Sequence, residues 1–447
     1  MFSGHTVVRY VFMSNRLLLI ALAAPWWVIA QKAVDVAPVW AGHHVQFDLL
    51  THGDRQFVAF YDAERNMTVA ARTLGSTKWQ FARLPSKVEW DSHNSLTMTI
   101  DRDGQIHLAG NMHVVPLIYF RTTRKLDIAS FERVRSMVGR NEARCTYPRW
   151  IHSPGGELIF TYRDGSSGAG DQIYNIYDEK TRAWKRLIET PLIDGQGLMN
   201  AYPHGPVPGP DGYHHLVWTW RDTPDCSTNH DLSYARSRDL VSWESSAGKP
   251  YRLPIRFDNA EVVDAVPVHG GMINGNTKIG FDSKNRVVIT YHKFDARGFT
   301  QLMAARRDAE GWRIRTVSDW AHRWDFQGNG TIEFEVTHGA VRPAGGGRLR
   351  LDYSHVKYGS GAWLLDEETL TVAGKEVAEQ SLPAGMDKVE SSFPGMQVNT
   401  AADEGKPPKG VRYTLRWETL GRNRDRPRKG PTPPPSMLRV IESKPER

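Results

Sequence analysis

One short unit recurs along the chain and restricts the possible folds more than any other feature. It is a turn rich in Gly, Asp or Asn, followed by an alternating strand that ends in aromatic or polar residues. Six copies are visible: HGDRQFVAFYD (52–62), RDGQIHLAGNMH (102–113), PGGELIFTYRD (154–164), PDGYHHLVWTWRD (210–222), SKNRVVITYHKFD (283–295) and GGGRLRLDYSH (345–355). Most are followed by a short stretch around a Trp, such as TKWQF or EGWRIR. Alternation of this kind predicts strands, and so an all-β protein.

The spacing of the copies, about 50 to 70 residues, accommodates roughly four strands in each unit. Repeats of that length predict a β-propeller. We therefore predict a seven-bladed β-propeller over residues 31–420. Its seventh blade would be closed by RYTLRWETL (412–420) pairing with the N-terminal strand, which leaves no open sheet edge. The alternative is a β-sandwich with several insertions, which the repeat length disfavours.

The two ends of the chain differ from this central part. The formal net charge is +7, but the first thirty residues contribute two basic residues and no acidic ones, and the segment from Gly421 has eight basic and three acidic residues. The remainder is about neutral, which gives no indication of nucleic-acid binding. We interpret residues 421–447 as a basic, Pro-rich C-terminal tail on the surface.

A secretion signal is predicted over residues 1–30, with Met13 as an alternative start. MSNRLLLIALAAPWWVIAQ (13–31) combines a basic residue, an apolar run and small residues at a cleavage position. The apolar run is shorter than the ~20 residues that cross a bilayer. We therefore expect no membrane span and a secreted or periplasmic protein.

Two cysteines, Cys145 and Cys226, allow one disulfide but no disulfide framework. Cys226 also lies close in sequence to His204, His215 (or the adjacent His214) and His230, and mixed His/Cys ligation suits zinc. A structural metal, zinc or calcium, is one interpretation of this group. Separate structural roles for each side chain are the other. No cofactor is expected to be required for catalysis.

Basic and proton-transferring side chains recur at one position of the unit. Lining up the copies places His113, Arg163, Arg221 and His292–Lys293 just after successive inner strands. In a propeller such strand ends converge near the axis. Arginines without an equal number of carboxylates favour an anionic ligand, and a sugar carboxylate suits the planar guanidinium. We expect an acidic oligo- or polysaccharide as the partner of a monomeric protein.

Several of these segments resemble the BNR-repeat propellers of polysaccharide lyases. The resemblance spans roughly residues 36–320 and is carried by WDSHNSLTMTIDRDGQIHLAGNMHVVPLIYFR (90–121), CTYPRW (145–150), FTYRDGSSGAGD (160–171), NAYPHGP (200–206) and TNHDLSYARSRD (228–239). VWAGHHVQFDLLTHGDRQFVAFYDAERNMTVAAR (39–72) is most similar to the L-rhamnose-α-1,4-D-glucuronate lyases, described in part as α-L-rhamnosidases. Ulvan lyases are more distant relatives. Residues 237–243 resemble a degenerate Asp-box, a structural turn.

The resemblance implies removal of L-rhamnose from glucuronate ends of an arabinogalactan-type polysaccharide by β-elimination. It implies that Arg163 neutralises the glucuronate carboxylate, because the C5 proton is otherwise only weakly acidic. His113 is the preferred proton-transfer residue, with Tyr147 and His93 assisting. The candidate substrate-binding residues are Arg221, Tyr202, His292, Lys293 and His43. In the members described as rhamnosidases, the position of His43 was given a catalytic role, which we rank below the other group.

Two other functions remain open. A hydrolase of the same rhamnosyl bond would normally need two positioned carboxylates, and none accompany the candidate motifs. A non-catalytic sugar-binding propeller would explain the aromatic residues and arginines, but not the convergence of two histidines and a tyrosine.

Overall fold

A computed structural model describes residues 32–379, 382–383 and 385–443. The predicted signal peptide over residues 1–30 lies outside the described residues. The described ranges contain 31 strands and two short 3-10 helices, Ile128–Ser130 and Cys226–Thr228, which confirms the prediction of an all-β chain. No helix in these ranges has the length and apolarity that a membrane span requires.

The strands follow one another closely along the chain. They are β1 (Lys32–Val39), β2 (Asp48–His52), β3 (Arg55–Tyr61), β4 (Asn66–Thr73), β5 (Gln80–Lys87), β6 (Leu96–Ile100), β7 (Ile106–Gly110), β8 (His113–Val115), β9 (Tyr119–Thr122), β10 (Phe131–Val134), β11 (Cys145–His152), β12 (Leu158–Ser166), β13 (Ala169–Asp178), β14 (Ala183–Arg186), β15 (Asn200–Pro208) and β16 (His214–Arg221). The second half of the chain contributes β17 (Asn229–Ser237), β18 (Trp243–Glu244), β19 (Glu261–Asp264), β20 (Lys278–Phe281), β21 (Val287–Phe294), β22 (Thr300–Asp308), β23 (Gly311–Thr316), β24 (Val336–His338), β25 (Arg342–Gly345), β26 (Arg348–His355), β27 (Gly359–Asp366), β28 (Val372–Val377), β29 (Met396–Ala402), β30 (Arg412–Leu420) and β31 (Ser436–Ser443).

Most strands pair with their neighbours in sequence as antiparallel meanders. The four-stranded sheets have the orders β2-β3-β4-β5, β6-β7-β9-β10, β20-β21-β22-β23 and β29-β30-β31-β1, and a five-stranded sheet contains β24 to β28. A ten-stranded sheet contains two further meanders, β11 to β14 and β15 to β18. These two are joined by a single parallel bridge between Gly170 and Asn200. The repeated sequence unit therefore corresponds to a repeated meander.

Aspartate side chains close several turns of the repeated unit. The carboxylate of Asp101 accepts a hydrogen bond from the backbone N–H of Gln105, four residues later, and Asp282 does the same for Arg286. Such side-chain bonds satisfy backbone donors that the reversing chain cannot pair in the sheet. The Asp-box-like segment forms the turn from β17 to β18 in a related way, with Asp239 accepting from Ser242.

The C-terminal segment belongs to the fold, contrary to the predicted tail. β31 lies between β1 and β30 and pairs with both. The predicted pairing of residues 412–420 with the N-terminal strand was therefore wrong, because β31 occupies the place between them. The Pro-rich stretch (433–435) misled the prediction, since it precedes a strand whose alternating side chains, such as Leu438 and Val440, are buried.

The buried apolar side chains join neighbouring meanders. One core cluster contains Val69 of β4, Leu108 of β7 and Trp417 of β30, so the last sheet shares a core with the first two. Cys145 and Cys226 are both buried free thiols, so they do not form the disulfide that their number allowed.

Candidate active site

One cavity, of about 520 Å³, gathers side chains from strand ends and loops that are far apart in sequence. Six of the proposed catalytic and substrate-binding residues line it: His93, His113, Tyr147, Arg163, Tyr202 and Arg221. The convergence follows from the repeated unit, because equivalent strand ends of several meanders face the same space. The cavity is therefore the candidate active site.

His93 and His113 lie ring beside ring, with 3.9 Å between their centres. Each ring donates from Nδ1 to a different oxygen of the Asp91 carboxylate, at 2.7 Å for His93 and 2.5 Å for His113. Burial alone would raise the pKa of Asp91, but the hydrogen bonds to His113 and His93 outweigh burial and hold it well below its usual range. Asp91 is thus an ionised acceptor that orients both rings and leaves each Nε2 available for other partners.

A second carboxylate reaches His93 from the C-terminal segment. Asp425 Oδ2 lies 3.3 Å from His93 Nδ1. Burial lowers the pKa of His93, but the hydrogen bonds to Asp425 and Asp91 outweigh burial and raise its pKa above the ordinary value. His93 therefore favours the protonated form.

The ligand atoms of Asp91, His93 and His113 form the one cluster, among the described residues, compact enough to suggest a metal. The distances do not fit this interpretation. Two ligands of a tetrahedral zinc, each ~2.0–2.1 Å from the ion, lie more than 3 Å apart. The Nδ1–oxygen distances of 2.5 and 2.7 Å are those of direct hydrogen bonds. We assign no metal to this cluster.

Tyr147 reaches the cavity because β11 bulges beside it. Thr146 lies opposite Arg163 in β12, and the register then shifts before Arg149. The φ angle of Tyr147 is +56°, a left-handed conformation that costs a non-glycine residue on the order of 1–3 kcal/mol. Its ring lies 5.7 Å from that of His93. Burial, and then the neighbouring Tyr202, raise the pKa of Tyr147, so its phenol keeps its proton.

Arg163 is a buried cation without an acidic partner in the described part of the chain. Its side chain donates to Thr146 Oγ1 at 3.2 Å and to the Tyr202 hydroxyl at 3.4 Å, and its carbon Cζ lies 4.9 Å from the centre of the Tyr147 ring. Its Nε has no hydrogen-bond partner among the residues that the structure describes. No Asp or Glu within the described ranges forms an ion pair with it. A buried charge in this state favours an incoming anion.

Thr146 connects Arg163 to the histidine strand. Its hydroxyl oxygen also accepts from the backbone N–H of Val114 at 2.8 Å, directly after His113. Arg221 lies on the other side of Tyr202, with its Cζ 5.4 Å from that ring, and donates to Asn274 Oδ1 at 3.3 Å. The cavity thus holds two guanidinium groups around one tyrosine.

Three predicted substrate-binding residues do not line the cavity. His292 is buried, and burial lowers its pKa to about 3. The ammonium of Lys293 is 2.6 Å from Asp264 Oδ2, so its charge is already paired. His43 is buried and accepts from Trp40 Nε1 at 2.9 Å, and burial lowers its pKa to about 4. The structure does not place these three side chains at the cavity. For His292 and Lys293, alignment of the repeats shows which strand ends are equivalent, but not which way each side chain turns.

The four residues suggested for a metal are also not brought together as one ligand group in the described part of the chain. His215 is held by Tyr234 OH and Asp211, and His230 by Asp231 and Asp222. Cys226 lines the main cavity, and burial lowers the pKa of His204 to about 3. His215 and His230 thus have separate hydrogen-bond partners in the described structure, and a structural metal stays a prediction.

Sequence reasoning missed both carboxylates of the site. Asp91 stands two residues before His93, and its Asp-x-His spacing was a signal that an acceptor accompanies the ring. Asp425 had no comparable signal, because it follows the matched repeats by about a hundred residues and lies in the segment interpreted as a tail.

The comparisons with known proteins agree with this architecture. Residues 55–320 match the profile described as BNR repeat-containing family member. No curated protein matches the chain. The structure of polysaccharide lyase Uly1 is similar with a TM-score of 0.61 at 13% identity, covering 92% of this chain and 99% of that one. A PL25 ulvan lyase bound to -[GlcA(1-4)Rha3S]- also has a TM-score of 0.61, at 12% identity, covering 88% of this chain and 94% of that one.

These two structures share the fold with this protein at low sequence identity. The profile match confirms the BNR-repeat part of the resemblance seen in the sequence, and it covers more than half of the residues. The chain belongs to the BNR repeat-containing family.

Proposed function

We propose that this protein is a polysaccharide lyase that cleaves the bond at O4 of a glucuronate by β-elimination. One observation carries the proposal. The buried guanidinium of Arg163 has no carboxylate partner among the described residues and lies in the same cavity as His93 and His113, two histidines oriented by a carboxylate. An anion-binding group beside proton-transfer groups is what elimination from a uronate requires.

The chemistry assigns a task to each part. Arg163 binds the carboxylate at C5 and stabilises the negative charge that spreads onto it as the C5 proton leaves. The C5–H electron pair forms the C4–C5 double bond, and the C4–O4 bond breaks. The departing oxygen takes a proton from a group of the protein. His113, His93 and Tyr147 are the groups in the cavity that can accept and donate these protons.

The absence of paired carboxylates favours elimination over hydrolysis. Asp425 is the one carboxylate among the described residues that line the cavity. Asp91 is engaged by both histidines. A glycosidase normally needs one carboxyl group as acid and another as base or nucleophile, both free to reach the sugar.

We propose L-rhamnose-α-1,4-D-glucuronate ends of an arabinogalactan-type polysaccharide as the substrate. The sequence resemblance over residues 39–72 supports this choice. The ligand in the similar ulvan lyase structure, -[GlcA(1-4)Rha3S]-, also contains glucuronate next to rhamnose, there a 3-sulfated rhamnose linked through its O4. We further propose secretion or periplasmic export through residues 1–30, action as a monomer, and catalysis without a cofactor.

We also propose that the meanders are seven blades of a closed propeller. Hydrogen bonds between the last sheet and the first support closure: the backbone N–H of Thr51 donates to Asp403 Oδ1 at 2.9 Å, and that of Glu404 donates to Leu49 O at 3.0 Å. A closed ring would direct all equivalent strand ends to one axis.

The experiment is digestion of an arabinogalactan that carries rhamnose-capped glucuronate, with ulvan as a second substrate and the His113→Ala variant as control. Elimination releases rhamnose together with an unsaturated uronate, which absorbs in the ultraviolet. Rhamnose release without that absorbance would identify a hydrolase. Binding of the polymer without any release would identify a sugar-binding protein.

A further inference from the structure

The segment between β30 and β31 forms part of the candidate active site. Arg422, Arg424, Asp425 and Arg426 line the cavity. The segment is attached to the loop before β24, because Arg424 donates from Nη1 to the backbone oxygens of Gln327 and Asn329. It lies outside the residues matched by the family profile. The candidate active site therefore combines side chains from the repeats that match the family profile with side chains from a segment outside them.

Asp425 is held firmly within this segment. Its carboxylate accepts from the backbone N–H of Ser92 at 3.2 Å, and from the backbone N–H and hydroxyl of Thr331 at 2.9 and 2.6 Å. Its φ angle is +58°, a conformation that Asp adopts more readily than most side chains. These bonds place Oδ2 3.3 Å from His93 Nδ1.

The two histidines consequently have unequal surroundings. His113 has one oxygen of Asp91 at its Nδ1, whereas His93 has the other oxygen of Asp91 and Oδ2 of Asp425. Two imidazolium rings 3.9 Å apart would repel each other. The pair therefore favours a single positive charge, and the second carboxylate favours its location on His93.

We propose that Asp425 is a positioning residue that keeps the catalytic proton on His93 and so leaves His113 as the base. The inference rests on the proposed elimination, and it assigns the base and the acid of that reaction to different histidines. His113 Nε2 takes the C5 proton, and His93 Nε2–H protonates the departing O4. Each turnover leaves His113 protonated and His93 neutral, and proton exchange with water restores the starting state.

The other titratable neighbour of His93 does not oppose this division. Tyr147, 5.7 Å from its ring centre to that of His93, is a neutral phenol whose pKa is raised by burial and then by Tyr202. Among the described residues, the carboxylates of Asp91 and Asp425, the neutral phenol of Tyr147 and the ring of His113 lie next to His93. The other charged groups that line the cavity are the guanidinium groups of Arg163, Arg221, Arg422, Arg424 and Arg426. Removing Asp425 would leave His93 and His113 with one acceptor oxygen each.

The test compares Asp425→Asn with Asn423→Ala. Asn423 is in the same segment, but its side chain donates to Arg426 O at 2.9 Å and does not line the cavity. Protonation of the two rings is followed by NMR with ¹⁵N-labelled histidine, assigned with His93→Asn and His113→Asn. Loss of a carboxylate at this distance should lower the protonation midpoint of His93 by roughly one pH unit or more. Asn423→Ala should leave it unchanged, and Asp425→Glu should restore part of the shift.

The pH profile of turnover gives a second measurement. The alkaline limb, where the acid loses its proton, should move to lower pH in Asp425→Asn by about the same amount. An unchanged His93 midpoint, or a shift confined to His113, would overturn the inference. In the unsubstituted protein, the protonation midpoint of His93 should lie at a higher pH than that of His113. A higher midpoint for His113 would overturn the inference, and this comparison does not require Asp425→Asn to fold.

These readouts separate the inference from the proposed function. The NMR titration does not depend on turnover. If the unsubstituted protein releases no unsaturated uronate, the elimination proposal fails, whatever the titration shows. If the protein is active and the alkaline limb of Asp425→Asn is unmoved, the elimination stands and the role of Asp425 fails.

Discussion

Replacing Arg163 by methionine should inactivate the protein without destabilising it. The side chain is 2% exposed, and burying an ion costs several kcal/mol unless its surroundings compensate. Compensation here comes from two long hydrogen bonds to hydroxyl oxygens, about 1.5 kcal/mol each for a charged donor, and from tyrosine rings, about 1–2 kcal/mol in total. Together these contacts roughly offset the cost of burying the charge, or fall short of it. Arg163→Met fills similar space without charge, so the free energy of unfolding should stay level or rise by about 1 kcal/mol.

The assay pairs thermal unfolding with turnover. A gain of about 1 kcal/mol corresponds to a melting temperature roughly 2 °C higher for a large domain. Turnover of Arg163→Met should fall by a factor on the order of 10²–10³, because losing a donor placed for developing charge costs about 3–4 kcal/mol. Arg163→Lys keeps the charge but loses the two-pronged geometry, and should lose about a hundredfold. Arg149→Lys is the matched control, since that side chain on β11 donates to Gly205 O and does not line the cavity.

Two results would refute this reasoning. A melting temperature several degrees lower for Arg163→Met would show that the guanidinium is structural and well compensated. Turnover retained within a few-fold would show that no substrate carboxylate binds there, and would remove the observation on which the lyase proposal rests.

Four further predictions concern Asp91, His43 and strand β31. Asp91→Asn should reduce turnover by on the order of a hundredfold or more, because both histidines lose a charged acceptor; the ultraviolet assay measures it. His43→Ala should affect turnover little, and a loss as large as that of Arg163→Met would place the working site elsewhere. Ionised Asp91 has a lowered pKa in the folded state, so its contribution to stability is present above the unfolded pKa of about 4 and is lost as pH falls further; urea unfolding of Asp91→Asn should show a weaker loss on acidification. Truncation before Ser436 should prevent native folding, seen by circular dichroism, because β1 and β30 lose their common partner.

The all-β architecture of repeated meanders could be predicted from the sequence because the repeat is strong and local. Each copy carries its own turn residues and its own alternating strand, so neighbouring strands pair within one meander. Tyr147 and Arg163 could be linked for the same reason, since β11 and β12 are adjacent strands. The sheet of β1, β29, β30 and β31 was harder to predict, because its strands come from opposite ends of the chain and no local sequence pattern indicates which strands pair.

Side-chain direction limited the prediction of the site. His292 and Arg163 occupy equivalent strand ends, yet Arg163 lines the cavity and His292 is buried behind other residues. Strand register does not distinguish the two residues, since β12 and β21 each pair with the following strand without a shift. Asp425 illustrates a second limit: its position depends on a contact with His93 across more than three hundred residues of sequence.

The sheet shared by β1 and β31 has a consequence for biosynthesis. The ribosome delivers β1 first and β31 last, so the N-terminal strand must wait for nearly the whole chain before its partner exists. Asp425 emerges only eleven residues before β31 begins. A chain that ends before Asp425 would therefore lack both β31, the strand between β1 and β30, and the second carboxylate at His93. Enzyme activity would then appear only in finished molecules, and incomplete products would be inactive and open to proteolysis.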